Sequence, residues 1–160
     1  MENKHSLMDR IMTIDPGISG TGWAVWSREW KLKSFGISVS SNNEWKEKME
    51  EIGIQLNEVI KKHRVSCAHI EEPRKFQGVF GNMVADKGDL VKLSIFVGFL
   101  TGYLNVRAVG YVPVIVWKGT LSKKIVEERV KKIFPNLNVK SHAIDAIGIG
   151  LYLRGQKEFQ

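Results

Sequence analysis

The alternation of apolar and polar residues divides the first half of the chain into five segments. Three short apolar runs come first, at residues 11–14, 21–26 and 30–39. Turn-like links join them, so they are predicted to form an antiparallel three-stranded meander. Apolar residues then recur at helical spacing from 45 to 60, which predicts an amphipathic helix. A fourth strand is predicted over 65–70, and it ends at Glu71-Glu72-Pro73 because proline stops strand pairing.

The second half alternates between helices and one further strand. Residues 73–86 show no regular period and are interpreted as a loop. A nearly all-apolar helix is predicted over 90–104, a fifth strand over 111–117, a basic amphipathic helix over 125–133 and a last helix over 143–153. The order predicts a single α/β domain spanning residues 1–160. Its mixed five-stranded sheet would combine the antiparallel meander with two parallel strands, flanked by helices.

Composition narrows the classes of partner. The net charge of +7 favours a polyanionic partner, nucleic acid before membrane. A single cysteine, Cys67, excludes an internal disulfide and a cysteine-based zinc site. The longest apolar stretch contains Lys92 and is too short to cross a bilayer. With no signal-peptide pattern at the start of the sequence, a cytoplasmic location is expected.

Four side chains with metal-ligand chemistry are predicted to converge on one edge of the sheet. Asp15 ends the first strand just before a Pro-Gly turn, and Glu71 ends the fourth. Parallel neighbouring strands would place both carboxylates at the same carboxyl edge. His142 and Asp145 are three residues apart, so they share one face of the last helix. Clustered carboxylates need cations, and an oxygen-rich site suits Mg²⁺ or Mn²⁺.

Each of these residues also has an ordinary structural explanation. Asp15 could cap a turn, Glu71 could pair with a lysine, and His142 with Asp145 could mark a helix start. Glu72, beside Glu71, leaves open which of the two faces the site. The joint pattern, rather than any one residue, favours the metal site.

Three motifs resemble the RuvC family of Holliday-junction resolvases, especially the compact versions encoded by bacteriophages. They are Ile14-Asp15-Pro16-Gly17 with Thr21-Gly22, then Ala68-His69-Ile70-Glu71, then His142-Ala143-Ile144-Asp145-Ala146. The resemblance runs from about residue 11 to residue 153, with the motifs in order and at compatible spacing. It implies an RNase H-like fold, which agrees with the predicted order of elements.

The resemblance also implies an activity. It implies an endodeoxyribonuclease that resolves four-way DNA junctions by paired symmetric nicks, as a homodimer, leaving 5′-phosphate and 3′-hydroxyl ends. Asp15, Glu71, His142 and Asp145 would hold two Mg²⁺ ions, with Mn²⁺ able to substitute. Lys118 matches a family lysine near the scissile phosphate, where a cation could stabilise the transition state. Many family members have aspartate where this chain has His142, and some have histidine. The metal preference should therefore differ, and activity should fall at acidic pH as His142 is protonated.

Further residues are predicted to contact DNA. The loop after Glu71 interleaves cations with aromatics, a composition that can bind and stack on unpaired bases. Phe76 is the better candidate to wedge into the junction, although it lies farther from Glu71 than the family spacing, whereas Phe80 could equally belong to the core. Lys131 and Lys132 could belong to a solvated helix face. The predicted DNA-binding residues are Arg74, Lys75, Phe76, Phe80, Lys118, Lys123 and Lys124.

Four other functions remain open at this stage. A related phage-type nuclease could cut flaps and forks as well as four-way junctions, and a YqgF-like enzyme could process RNA. An actin-like ATPase shares the early Asp-x-Gly pattern but needs two such domains. A catalytically silent DNA-binding module would keep the fold without cleavage. Part of the apolar 90–104 helix is predicted to form the homodimer interface.

Overall fold

The structure, a computed structural model, describes residues 10–73, 87–139 and 141–159 of the chain. Its centre is a mixed sheet whose strands lie in the order β3-β2-β1-β4-β5. The strands are β1 (Arg10–Asp15), β2 (Thr21–Trp26), β3 (Leu32–Ser38), β4 (Val65–Glu72) and β5 (Ala108–Pro113). The first three are antiparallel, while β4 runs parallel to both β1 and β5. The predicted sheet is therefore confirmed.

Helices cover both faces of this sheet. They are α1 (Trp45–His63), α2 (Lys87–Tyr103), α3 (Val114–Trp117), α4 (Lys123–Ile133) and α5 (Ser141–Leu153), followed by a 3₁₀ turn at Lys157–Phe159. α1 and α2 share one apolar core with the sheet, and α4 and α5 share a second core on the opposite face. Both faces of the central strands are consequently buried, which explains why those strands are apolar with little alternation.

Strand alternation decides which side chains of β1 face each core. Met12 and Ile14 are fully buried in the core beneath α1 and α2. The intervening residues, Thr13 and Asp15, point to the other face, because successive side chains of a strand alternate. The carboxylate that ends β1 therefore emerges on the side covered by α5.

The segment predicted as a strand over 111–117 is wrong in its second half. Strand β5 spans Ala108–Pro113, and the next four residues form the short helix α3. Pro113 precedes the first helical turn, and the amide of Lys118 donates to the carbonyl of Val114. Proline lacks the N–H that would continue the sheet and its φ of −60° suits a helix start. A short run of Val, Ile and Trp has no period that separates a strand from one buried helical turn.

The third strand begins two residues later than predicted. Trp30 lies in the left-handed region with φ of 57°, inside a turn in which the amide of Lys31 donates to the hydroxyl of Ser27. The chain can pair with β2 only after that turn, so β3 starts at Leu32.

Among the described residues, no helix has the length and apolar character needed to span a membrane.

Candidate active site

Asp15 and Glu71 lie side by side at one edge of the sheet. In the parallel pairing of β1 with β4, Ile14 is opposite Ile70, so the next residue of each strand is a carboxylate. Both carboxylates face the α5 side by strand alternation. Burial raises the pKa of Glu71 from its usual value to about 8, and the negative charge of Asp15 adds to the shift. The predicted convergence of these two residues is therefore present.

Gly22 brings the first turn of α5 against the same edge. It pairs with Asp15 across β1 and β2, and a Cβ atom added to it would lie 1.9 Å from the carbonyl oxygen of His142. Any other residue at this position would push α5 off the sheet. The close approach lets Nδ1 of His142 lie 2.7 Å from Oδ2 of Asp15. This hydrogen bond raises the pKa of His142.

The turn after Asp15 is closed by its own hydrogen bonds. The hydroxyl of Thr21 donates to the carbonyl of Gly17 over 2.9 Å, and the amide of Gly20 donates to the same carbonyl over 3.2 Å. A Cβ atom added to Gly17 would lie 2.6 Å from the carbonyl oxygen of Gly20 and 3.5 Å from Cε1 of His142. Gly17 therefore keeps the turn narrow enough for the histidine to reach Asp15.

The buried hydrogen bonds of Thr13 set the position of α5 along β1. The hydroxyl of Thr13 donates to the carbonyl of Ala146 over 2.7 Å and accepts the indole N–H of Trp26 over 2.9 Å. Trp26 lies directly under Gly150, where an added Cβ would come within 2.2 Å of the indole ring. Because Ala146 follows Asp145, the hydrogen bond from Thr13 helps to hold that carboxylate at the sheet edge.

Asp145 and Lys118 form a buried ion pair beside the other carboxylates. Nζ of Lys118 lies 3.0 Å from Oδ2 of Asp145, and the two side chains are 15% and 9% exposed. Burial, followed by the charge of Asp15, raises the pKa of Asp145, while Lys118 opposes the shift. Lys118 was predicted at the end of the fifth strand. It instead follows α3, and that helical turn carries it into the site.

Glu71, rather than Glu72, belongs to this cluster. The indole Nε1 of Trp117 donates to Oε2 of Glu71 over 2.8 Å. Glu72 points to the opposite face, where it lines a surface groove with Ser94 and Tyr111. The alternation of β4, with Ile70 in the core beneath α1 and α2, accounts for the difference.

Comparison with known proteins places the chain in a family. No protein-family model matches the sequence. A crossover junction endodeoxyribonuclease RuvC from Wolbachia (the Brugia malayi strain TRS) is 30% identical over 162 residues, covering 90% of this chain and 93% of the relative. The chain belongs to the RuvC family. This confirms the prediction made from its three motifs, whereas an origin in a bacteriophage stays a prediction.

Solved structures agree on the fold of this RuvC-family chain. The Thermus thermophilus RuvC structure matches with a TM-score of 0.62 and 23% identity, covering 89% of this chain and 91% of that one. The same protein in complex with a Holliday junction substrate matches with a TM-score of 0.65 and 23% identity, covering 92% and 96%. The yeast mitochondrial Holliday junction resolvase matches with a TM-score of 0.58 and 11% identity, covering 95% and 82%. These matches agree with the predicted fold, a mixed five-stranded sheet flanked by helices.

Of the predicted DNA-binding residues, Lys118 lies in the site itself beside Asp145, and the others divide into two groups. Lys123 and Lys124 lie at the exposed start of α4, and the charge of Lys123 reaches His142 and Asp145. Lys131, whose role was left open, pairs with Glu127 on the exposed face of α4. The loop residues Arg74, Lys75, Phe76 and Phe80 lie outside the described residues.

The donor set of this RuvC-family chain fits a divalent cation, although each carboxylate already accepts a hydrogen bond from a neighbouring side chain. Within the described ranges, no group of three or more His, Cys, Asp or Glu side chains takes up the arrangement of a formed metal site. Burial raises the pKa of Glu71 and that of Asp145, and the negative charge of Asp15 nearby adds to both shifts. Such a cluster of buried oxygens needs positive charge, which is the requirement that Mg²⁺ or Mn²⁺ meets.

Two contributors to the site were not predicted from the sequence. The sequence predicts a strand at Trp117, whereas its bond to Glu71 depends on the helical turn α3. For Thr13 the sequence predicts only a position in a buried strand. A hydroxyl at a core position of an otherwise apolar strand is a signal that could have identified it, because buried polar groups need partners.

Proposed function

We propose that this chain is a metal-dependent endonuclease that resolves four-way DNA junctions. The observation that carries the proposal is the convergence of Asp15, Glu71 and Asp145 with His142 at one sheet edge of a RuvC-family chain. The Wolbachia relative is named as a crossover junction endodeoxyribonuclease, and the Thermus protein has been solved with a Holliday junction substrate. Both names support branched DNA as the substrate class.

The four side chains would hold two divalent cations, Mg²⁺ with Mn²⁺ able to replace it. Bound there, the cations would supply an activated water and would stabilise the leaving oxygen, which gives 5′-phosphate and 3′-hydroxyl products. His142 must be neutral to act as a ligand. Since its bond to Asp15 raises the pKa of His142, we expect cation binding to weaken at mildly acidic pH.

Lys118 supplies a fixed positive charge next to these ligands. Its amine is held by Asp145 at 3.0 Å and is largely shielded from solvent. A cation in such a place stabilises charge that develops on the scissile phosphate, because it is already oriented and only weakly screened. The exposed Lys123 and Lys124, one helix further on, would bind the flanking DNA backbone.

Paired symmetric nicks require two such sites, and α2 offers a surface for a homodimer. Val91, Ile95, Gly98 and Gly102 recur along one side of this helix. Val91 is 58% exposed and Ile95 is 48% exposed, and a Cβ added to either glycine would meet no described atom within 4 Å. Small residues between apolar ones let a second helix approach closely, so a two-fold contact between α2 helices would cover this face.

Sedimentation or light scattering tests the dimer. Ile95→Glu is expected to convert a dimer into a monomer, because the charge would be buried in the contact. Ile125→Glu on α4 is the matched control, since Ile125 is 40% exposed on the opposite side of the sheet. A wild-type protein that is only monomeric at micromolar concentration would contradict the dimer.

A cleavage assay tests the nuclease. Labelled four-way junction, flap and linear duplex are incubated with Mg²⁺, Mn²⁺ or EDTA, and the ends of the products are mapped. We expect paired nicks in the junction and a loss of at least about 100-fold in rate for Asp15→Asn. Asp89→Asn, the same chemical change on the exposed surface of α2, should cleave as wild type does.

The alternatives give different outcomes in the same assay. Equal cleavage of junctions and flaps would favour a general debranching nuclease. Salt-sensitive binding without cleavage under either cation would favour a silent DNA-binding module. Full activity of Asp15→Asn would show that the ligand set is wrong.

A further inference from the structure

Trp117 contacts one proposed ligand directly. It is only 2% exposed, yet its indole Nε1 donates to Oε2 of Glu71 over 2.8 Å. Glu71 comes from the end of β4, while Trp117 ends the short helix α3. The bond therefore connects the end of a strand to a residue of a helical turn that lies 46 positions later in the chain.

The indole is fixed by its surroundings on α5. A Cβ atom added to Gly148 would lie 2.7 Å from Cζ3 of Trp117, so the ring rests on the bare backbone of the helix that carries His142 and Asp145. Phe159 packs against the same glycine. Nζ of Lys118 lies 5.3 Å from the centroid of the ring, in the range of a cation–π contact. Trp117 thus has little freedom to turn away from Glu71.

We propose that Trp117 is a positioning residue that holds Glu71 in the orientation needed to bind the catalytic cation. An indole N–H can only donate, so it engages the carboxylate through one oxygen and leaves the other free for a ligand role. Partners of this kind, which orient a metal ligand from behind, change metal affinity or activity by about 10–100-fold when removed. The inference rests on the proposed function, since it takes Glu71 to be a ligand.

The test compares Mn²⁺ binding, by calorimetry, in Trp117→Phe and in wild type. The variant keeps an aromatic ring but loses the N–H, and we expect Mn²⁺ binding to weaken by about 10–100-fold. Binding of the four-way junction in EDTA should be unchanged, because the contacts to the DNA backbone are retained. Phe159→Leu is the packing control, since it loosens the same core cluster without touching Glu71.

A double-mutant comparison separates positioning from packing. In a Glu71→Gln background, Trp117→Phe should cause no further loss of Mn²⁺ binding, because its effect passes through Glu71. Wild-type Mn²⁺ affinity in Trp117→Phe, or an equal loss in Phe159→Leu, would overturn the proposal. Wild-type Mn²⁺ affinity in Glu71→Gln would instead overturn the ligand assignment on which the proposed function depends.

A measurement that keeps Trp117 intact guards against a variant that does not fold. The chain has five tryptophans, and each indole N–H gives its own signal in a ¹H–¹⁵N spectrum. We expect one of these signals to shift on Glu71→Ala, which removes the acceptor, and the same signal to shift when Mg²⁺ is added to wild type. If no indole signal responds to Glu71→Ala, the hydrogen bond is absent and the proposal fails.

Discussion

Replacing Glu71 by glutamine should stabilise the metal-free protein while abolishing cleavage. Burial and the charges of Asp15 and Asp145 raise the pKa of Glu71 to about 8, against 4.5 in an unperturbed carboxyl. Between these two values the folded protein holds a proton that the unfolded chain releases. The contribution of Glu71 to stability is therefore full below pH 4.5 and falls as the pH rises towards 8.

The shift sets the size of the expected effect. Each unit of pKa difference corresponds to about 1.4 kcal/mol, so integration from pH 4.5 to about pH 7.5 gives a cost of roughly 4 kcal/mol. This is an upper bound for the substitution, because the polar amide of glutamine is itself buried at a cost. Glutamine is neutral at every pH, and its carbonyl oxygen can still accept the indole N–H of Trp117. We expect Glu71→Gln to be about 2–4 kcal/mol more stable at this pH.

Urea unfolding in EDTA, followed by tryptophan fluorescence at several pH values, measures the effect. The gain should be largest near pH 8 and should shrink as the pH approaches 4.5. Glu72→Gln is the matched control, since that side chain faces away from Asp15 and Asp145 and its removal relieves none of their repulsion. A variant no more stable than wild type at pH 8, or a gain independent of pH, would refute the reasoning.

Three further predictions follow from contacts within the site. Thr13→Val should lower the free energy of unfolding by about 1–3 kcal/mol, because it leaves the buried indole N–H of Trp26 without an acceptor. Thr13→Ser keeps the hydroxyl and should not cause this loss, and urea unfolding compares the two variants. Because its bond to Asp15 raises the pKa of His142, His142→Ala should cost more stability in EDTA at pH 6 than at pH 9, which thermal unfolding can check. Lys118→Met should lower the cleavage rate at saturating Mg²⁺ by about 100-fold without weakening Mg²⁺ binding by calorimetry, since it removes a cation and no ligand.

The sheet and the carboxylate edge could be predicted because their signals are local. Asp15 and Glu71 each end an apolar strand, and a proline follows each of them closely. Parallel pairing of the two strands then aligns both carboxylates without any knowledge of side-chain packing. The same reasoning placed His142 and Asp145 on one helix face, since it needs only helical spacing.

Features that depend on close packing could not be predicted in this way. Strand β5 ends at Pro113, and the apolar residues that follow form the helical turn α3. This apolar run has no period that would separate helix from strand. Gly22 is part of a motif, but the need for glycine at this position comes from the carbonyl of His142, which lies 120 positions later in the printed sequence. Likewise, nothing near Trp117 in sequence indicates that its indole would meet Glu71. Each of these contacts forms only when two elements that are distant in the sequence pack together.

The site is explained better by chemistry than by stability. Three carboxylates gathered at one sheet edge oppose folding, because burial raises the pKa of Glu71 and of Asp145 and the charge of Asp15 adds to both shifts. Among the described residues, each carboxylate has a donor: His142 for Asp15, Lys118 for Asp145 and Trp117 for Glu71. Apolar side chains of similar volume would fill the same space without that cost. The chain nevertheless has this cluster, and Gly22 and Thr13 bring α5 against it. The site is therefore organised around the positive charge that the carboxylates can bind.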